Sequence, residues 1–173
     1  MPGFIEITFE VAGAAPIQSA MVSFGNEIRD LSPAWDEVGD IVRANFEEQF
    51  FTEGGYYGTG GGGWVPLKPS TIADRIRRGY GAGPILQRDG TLFESLATKG
   101  SPGNINEVRA DGASFGTQIP YARFHQDGTS RMPKRQIVGL GWDTRSAIIK
   151  AISQYIYRRV AANFPGTGGG GEE

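Results

Sequence analysis

The sequence predicts an α+β domain: a small antiparallel or mixed β-sheet packed against a long amphipathic helix and a C-terminal helix, with a glycine-rich loop and tail. Three observations lead there. A segment near the start alternates apolar and polar residues, two long stretches repeat apolar residues at helical spacing, and an Asp-Gly pair separates two short strand-like runs. At 173 residues the chain suits one domain with a real core, placed at residues 1–164 and followed at 165–173 by a disordered glycine-rich tail with nothing to bury.

Residues 4–11 (FIEITFEV) put Ile5, Ile7, Phe9 and Val11 on one side and Glu6, Thr8 and Glu10 on the other, the pattern of a half-buried strand. After a break at 13–16, Met21, Phe24, Ile28 and Leu31 recur at helical intervals and predict a short helix. Ser32 followed by Pro33 is a helix start, because serine can cap free amides and proline at the first position gives up no hydrogen bond. Trp35, Val38, Ile41, Val42, Phe46 and Phe50 carry this long helix to about Phe51. Asp36, Glu37, Asp40, Arg43, Glu47 and Glu48 cover its other side, and Gly54 and Gly55 mark its end.

Glycine dominates residues 52–63 (TEGGYYGTGGGG), which predicts a flexible loop, since glycine loses the most conformational freedom on ordering. Apolar character returns at 64–68, and Pro69 and Ser70 open a short basic helix over 70–78 that carries Arg75, Arg77 and Arg78. A further break precedes Ile85, Leu86 and the turn pair Asp89-Gly90, then a short helix over 91–97. Residues 104–110 and 113–118 flank Asp111-Gly112, predicting a hairpin whose two central residues tolerate positive φ. Residues 135–140 (RQIVGL) read as one more strand. Asp143 or Thr144 then caps a last helix carrying Ile148, Ile149, Ile152, Ile156 and Val160, expected to pack on the sheet.

Composition removes several kinds of chemistry. Lys and Arg total 17 against 19 Asp and Glu, so nothing global attracts a polyanion. The absence of cysteine excludes disulfides, thiolate metal sites and a cysteine nucleophile. His125 is the only histidine, so a zinc site is disfavoured, and a hydrolase would have to pair it with an acidic residue. The run at 60–63 lacks the Lys and Ser/Thr of a phosphate loop. Catalytic residues, metal ligands and cofactors are therefore all expected to be none.

Arg75, Arg77 and Arg78 near Tyr80, or Arg131, Lys134 and Arg135, could touch nucleic acid, but they suit salt bridges to a protein partner better. No stretch approaches the roughly 20 apolar residues that cross a bilayer, and the start lacks a signal-peptide pattern; we expect synthesis and retention in the cytosol, with no membrane.

One ordered set of motifs carries more information than these tests. After the long helix and glycine loop come W-x-P-L (Trp64, Pro66, Leu67), a basic helix, I-L (Ile85, Leu86) and D-G-x-L-x-x-S-L (Gly90, Leu92, Ser95, Leu96). Then follow Y-A-x-x-H-Q-x-G-T (Tyr121, Ala122, His125, Gln126, Gly128, Thr129) and M-P-x-R (Met132, Pro133, Arg135). Across about residues 32–160 this arrangement resembles the phage virion morphogenesis family, the Mu-like and P2-like tail completion proteins.

That family is similar to the neck and tail terminator proteins of long-tailed phages. The resemblance implies a non-enzymatic virion component at the head-tail junction, acting in tail completion as an α+β subunit of a ring, commonly a hexamer. It implies contacts with further copies of itself, the tail tube protein and the connector or stopper, with DNA passing through the lumen. The host cytoplasm would be its location during assembly and the neck or tail end of the virion afterwards.

On this reading Trp64, Arg75, Arg77, Arg78, Tyr121, His125, Gln126, Met132 and Arg135 are candidate interface residues. The segment after Pro120 would offer an aromatic and amide turn to a neighbour, and the stiff Met132-Pro133 pair would anchor a subunit edge. Two alternatives are an internal lock for that turn and a mere strand start for that pair.

Overall fold

The computed structural model describes residues 5–10, 30–57 and 63–163. The helix expected at 21–31 therefore lies outside the described residues up to residue 29, as do residues 58–62 of the loop and the glycine tail. In chain order the elements are β1 (Ile5–Glu10), α1 (Ser32–Phe51), α2 (Pro69–Arg77), α3 (Thr91–Ala97), β2 (Asn104–Val108), β3 (Gly112–Thr117), α4 (Ala122–Asp127) and α5 (Trp142–Asn163). The architecture is α+β, as the sequence predicts, with a three-stranded antiparallel sheet in the order β1-β3-β2.

The alternation read in the first strand is realised, because Ile7 pairs with Phe115 and Ile5 with Thr117 on the face that meets the helices. In the hairpin Val108 pairs with Ala113, and the Arg109 amide donates to the Gly112 carbonyl at 2.8 Å. The turn is thus centred on Ala110-Asp111, with Gly112 already in β3. Neither Asp111 nor Gly112 takes positive φ, so the hairpin stands as expected but the turn sits one residue earlier and for a different reason than the one given. Gly116 has a different role: a Cβ there would stand 2.3 Å from the Glu6 Cα and from the Ile5 carbonyl oxygen, so β1 lies this close only because residue 116 has no side chain.

Helix α1 is the central element, touching the sheet, α3 and α5. Val38, Val42, Phe46 and Phe50 are fully buried in it, and each large side chain so covered contributes roughly 1.5–3 kcal/mol. Gly39 lets the Phe115 ring lie against the helix. Ser32 does not cap the helix; it is the first helical residue, and its amide is accepted by the Asp30 carboxylate at 2.9 Å. Hydrogen bonding from the Ser32 side chain, and after it from this amide, holds the Asp30 carboxyl below its ordinary range. At the other end Gly54 donates to the Gln49 carbonyl and Glu53, at φ 46°, to that of Phe50, the paired bonds of a left-handed helix stop.

Helix α3 begins at Gly90 (φ 80°), with the Asp89 carboxylate accepting the Thr91 amide. It docks on the sheet through the Ser95 hydroxyl, 2.7 Å from that of Thr117. Helix α5 packs on α1 and not mainly on the sheet as expected. It runs antiparallel to α1, with Thr144 bonded to Asn45 near one end and Arg158 paired with Glu37 near the other. Ile148 is buried in that contact, whereas Ile149 is 67% exposed and so does not belong to the predicted buried set.

Candidate functional site

Residues 135–141 form no strand and bend at Val138, a correction to the strand expected at 135–140. The physical reason is that side chains, not a neighbouring strand, satisfy the amides of 137, 138 and 141 and the carbonyls of 136 to 139. The Gln126 amide alone closes three bonds, accepting from the Ile137 and Val138 amides at 2.9 and 3.0 Å and donating to the Val138 carbonyl at 2.8 Å. Gln49 Nε2 and Trp64 Nε1 both donate to the Gln136 carbonyl, at 2.8 and 3.0 Å. Asn45 donates to the Gly139 carbonyl at 2.9 Å and accepts from the Gly141 amide and the Thr144 hydroxyl.

The Tyr57 hydroxyl donates to the Ile137 carbonyl at 3.2 Å. Burial pushes that hydroxyl well above the usual tyrosine range, so it stays protonated and able to donate. An unpaired buried backbone group costs about 1–3 kcal/mol, which makes this seam a strong determinant of local structure.

The glycine loop meets the seam at its base. The Trp64 amide donates to the Glu53 carbonyl, and a Cβ on Gly54 would fall 2.3 Å from the Trp64 ring. Within the described part of the loop, Gln49 accepts the Tyr57 amide and the Tyr56 hydroxyl lies 3.0 Å from that of Thr144. A cleft of about 290 Å³ opens beside this junction, lined by Gln49, Trp64, Lys134 and Gln136 among others.

The predicted interface residues divide sharply. Trp64, Gln126 and Arg135 converge on the seam and act inside the chain. Arg135 is buried, its guanidinium donating twice to the Val65 carbonyl and its amide to that of His125. Arg75 is also buried, donating to the Pro84 carbonyl at 3.1 Å and apart from the seam. Met132 is half-buried, its amide held by the Thr129 hydroxyl in the turn before the seam.

Tyr121, Arg77 and Arg78 remain at the surface, the two arginines bonded to Asp74. The segment expected as an aromatic and amide turn is the short helix α4, which aims Gln126 inward.

His125 is half-buried beside the Tyr121 ring, and its Nδ1 has no hydrogen-bond partner. Burial, aided by the Arg135 charge, holds its pKa below the usual imidazole range. Among the described residues no group of three or more His, Asp or Glu side chains is arranged to hold a metal ion, and no helix is long and apolar enough to cross a membrane.

Sequence reading missed Asn45, Gln49, Tyr57 and Gln136. A signal for the first two exists: they interrupt the apolar stripe of α1 one turn apart, where a polar side chain must find an internal partner.

Fold and seam together define the class: a small α+β domain whose conspicuous polar residues fasten its own backbone. Within that class, the chain belongs to the phage virion morphogenesis family, a model of which matches residues 13–157. No curated protein and no solved structure matches the chain. Family membership gives the protein a structural role in phage assembly and associates it with the virion.

Proposed function

We propose that this protein is a non-enzymatic tail completion subunit, a terminator ring at the head-tail junction, commonly six-fold, that joins the tail tube to the connector or stopper and lets DNA pass through its lumen. The observation that carries the reading is the match to the virion morphogenesis family across residues 13–157, a span that includes the seam. A rigid domain with fastened loops suits a subunit that repeats one geometry around an axis and meets two different neighbours along it. The lone His125, with an unpartnered Nδ1 and a depressed pKa, supplies no acid-base pair for a hydrolase. In the basic helix predicted as a nucleic-acid patch, Arg77 and Arg78 are engaged with Asp74 and Arg75 is buried, as is Arg135 of the second patch, which weakens both as phosphate-binding clusters.

Deleting the gene from its phage tests the proposal. The expected product is filled heads and unjoined or irregular tails, restored by the gene supplied in trans. Normal particles with failed lysis would overturn the assembly reading in favour of an enzyme.

A further inference from the structure

Helix α5 is apolar on two opposite sides. Thr144, Ile148 and Ala151 are buried on the side that meets α1. The other side bears Trp142, Ile149 and Tyr157, which are 81%, 67% and 73% exposed. With about 100° of turn per residue, spacings of seven and eight keep these three within an arc of about 80°, interleaved with Ser146 and Ser153, on the side opposite the buried one. Scattered exposed apolar residues are ordinary, but a row of large ones marks a contact surface, and a helix apolar on both sides is covered on both. Arg145 and Lys150 flank the row, exposed and absent from the ion pairs among the described residues.

The outward stripe of α1 has the complementary character. Glu37, Asp40, Ala44, Glu48 and Phe51 follow one another along it, with Asp36 and Glu47 beside them. Asp36, Glu37 and Asp40 are paired with cations within the chain, whereas Glu47 and Glu48 are in none of those ion pairs. Phe51 is 82% exposed at the end of the stripe.

We infer that the outer row of α5 docks on the outer stripe of α1 in a second copy of this chain. Trp142, Ile149 and Tyr157 cover Ala44 and Phe51, while Arg145 and Lys150 meet Glu47 and Glu48. Because the two stripes differ, each copy offers one and receives the other, the kind of contact that closes into a ring when the rotation allows. The inference rests on the ring reading proposed above and names the surface that joins neighbouring subunits.

The test is a charge exchange on the full chain, read by sedimentation velocity and native mass spectrometry. One variant carries Arg145→Glu and Lys150→Glu, the other Glu47→Lys and Glu48→Lys. Each alone is expected to self-associate more weakly by roughly tenfold or more, because like charges then oppose across the contact. An equimolar mixture is expected to regain wild-type assembly with the two chains alternating, since every contact is then complementary. Trp142→Ser with Ile149→Ser is expected to weaken association while leaving the unfolding temperature of the dilute monomer unchanged, both side chains being exposed.

A wild-type chain that remains monomeric at all concentrations would overturn self-association and this surface together. A wild-type oligomer indifferent to all these changes would overturn the surface and leave the ring reading standing. Variants that assemble normally yet fail to join particles would assign the row to a different virion protein and overturn the copy-to-copy contact.

Discussion

Two segments of this protein are held in place by different means. The hairpin β2-β3 is fastened backbone to backbone, so its pairing survives most changes of side chain. Residues 135–141 are fastened by Asn45, Gln49, Tyr57, Trp64 and Gln126, and each bond there can be removed by one substitution. The contrast explains why glutamine and tryptophan are prominent in motifs that show no catalytic arrangement: here a side chain replaces a missing neighbouring strand. It also removes Trp64, Gln126 and Arg135 from the candidate contact surface, because they are engaged within the fold.

The contrast breaks most visibly at Gln126. Gln126→Leu leaves the Ile137 and Val138 amides and the Val138 carbonyl without this partner, and we expect a loss of roughly 3–5 kcal/mol in chemical denaturation. Hydrogen exchange in that variant should show the amides of 137 and 138 losing protection while those of β3 keep theirs. Uniform loss across both regions would show that the seam and the sheet unfold as one unit.

Asn45→Ala should cost less, about 2–4 kcal/mol, since it removes bonds to Gly139, Gly141 and Thr144 but leaves a gap that water can enter. Calorimetry checks the order of the two. A seam variant milder than a hairpin variant such as Asn106→Ala, which removes only the bond from Arg43 and should cost about 0.5–1.5 kcal/mol, would reverse the comparison.

Legibility in sequence follows the same division. Local periodicity revealed β1 and α1, because alternation and helical spacing are imposed by the backbone itself, and Asp-Gly turn signals revealed α3 and the hairpin. The strand expected at 135–140 failed for the converse reason. Its apolar run is real, but a partner strand is a long-range fact, and here the partners are side chains 72 to 94 residues away in sequence, plus Gln126 nearby. The Asp111-Gly112 signal put the turn one residue late, since a tight turn needs no positive φ at Gly112 when Ala110-Asp111 take its centre. Of the candidate contact residues, sequence could not separate Trp64 and Arg135, which point inward, from Tyr121, which stays exposed.

A smaller effect sharpens the picture at the edge of the seam. His125 has a pKa held below its unfolded value of about 6.5, so the unfolded chain binds the proton more readily. Stability should therefore be fully present above pH 6.5 and decline as pH falls from there toward the depressed folded value. Thermal unfolding between pH 8 and pH 5 would reveal this slope, and His125→Gln should flatten it. An unchanged slope would assign the decline to other groups, of which Asp30, Asp74 and Asp89 act only below the usual carboxylate range because their folded values are lowered.

The central claim is that a domain sewn together inside presents its helical exterior to virion neighbours at the tail end. Cryo-electron microscopy of the intact particle tests this most directly. The account predicts a ring of this chain where tail meets head, with the seam enclosed in each subunit and Trp142 of each copy against a neighbour's α1. Particles that lack the chain, or hold it with α5 bare and residues 135–141 forming the contact, would contradict it.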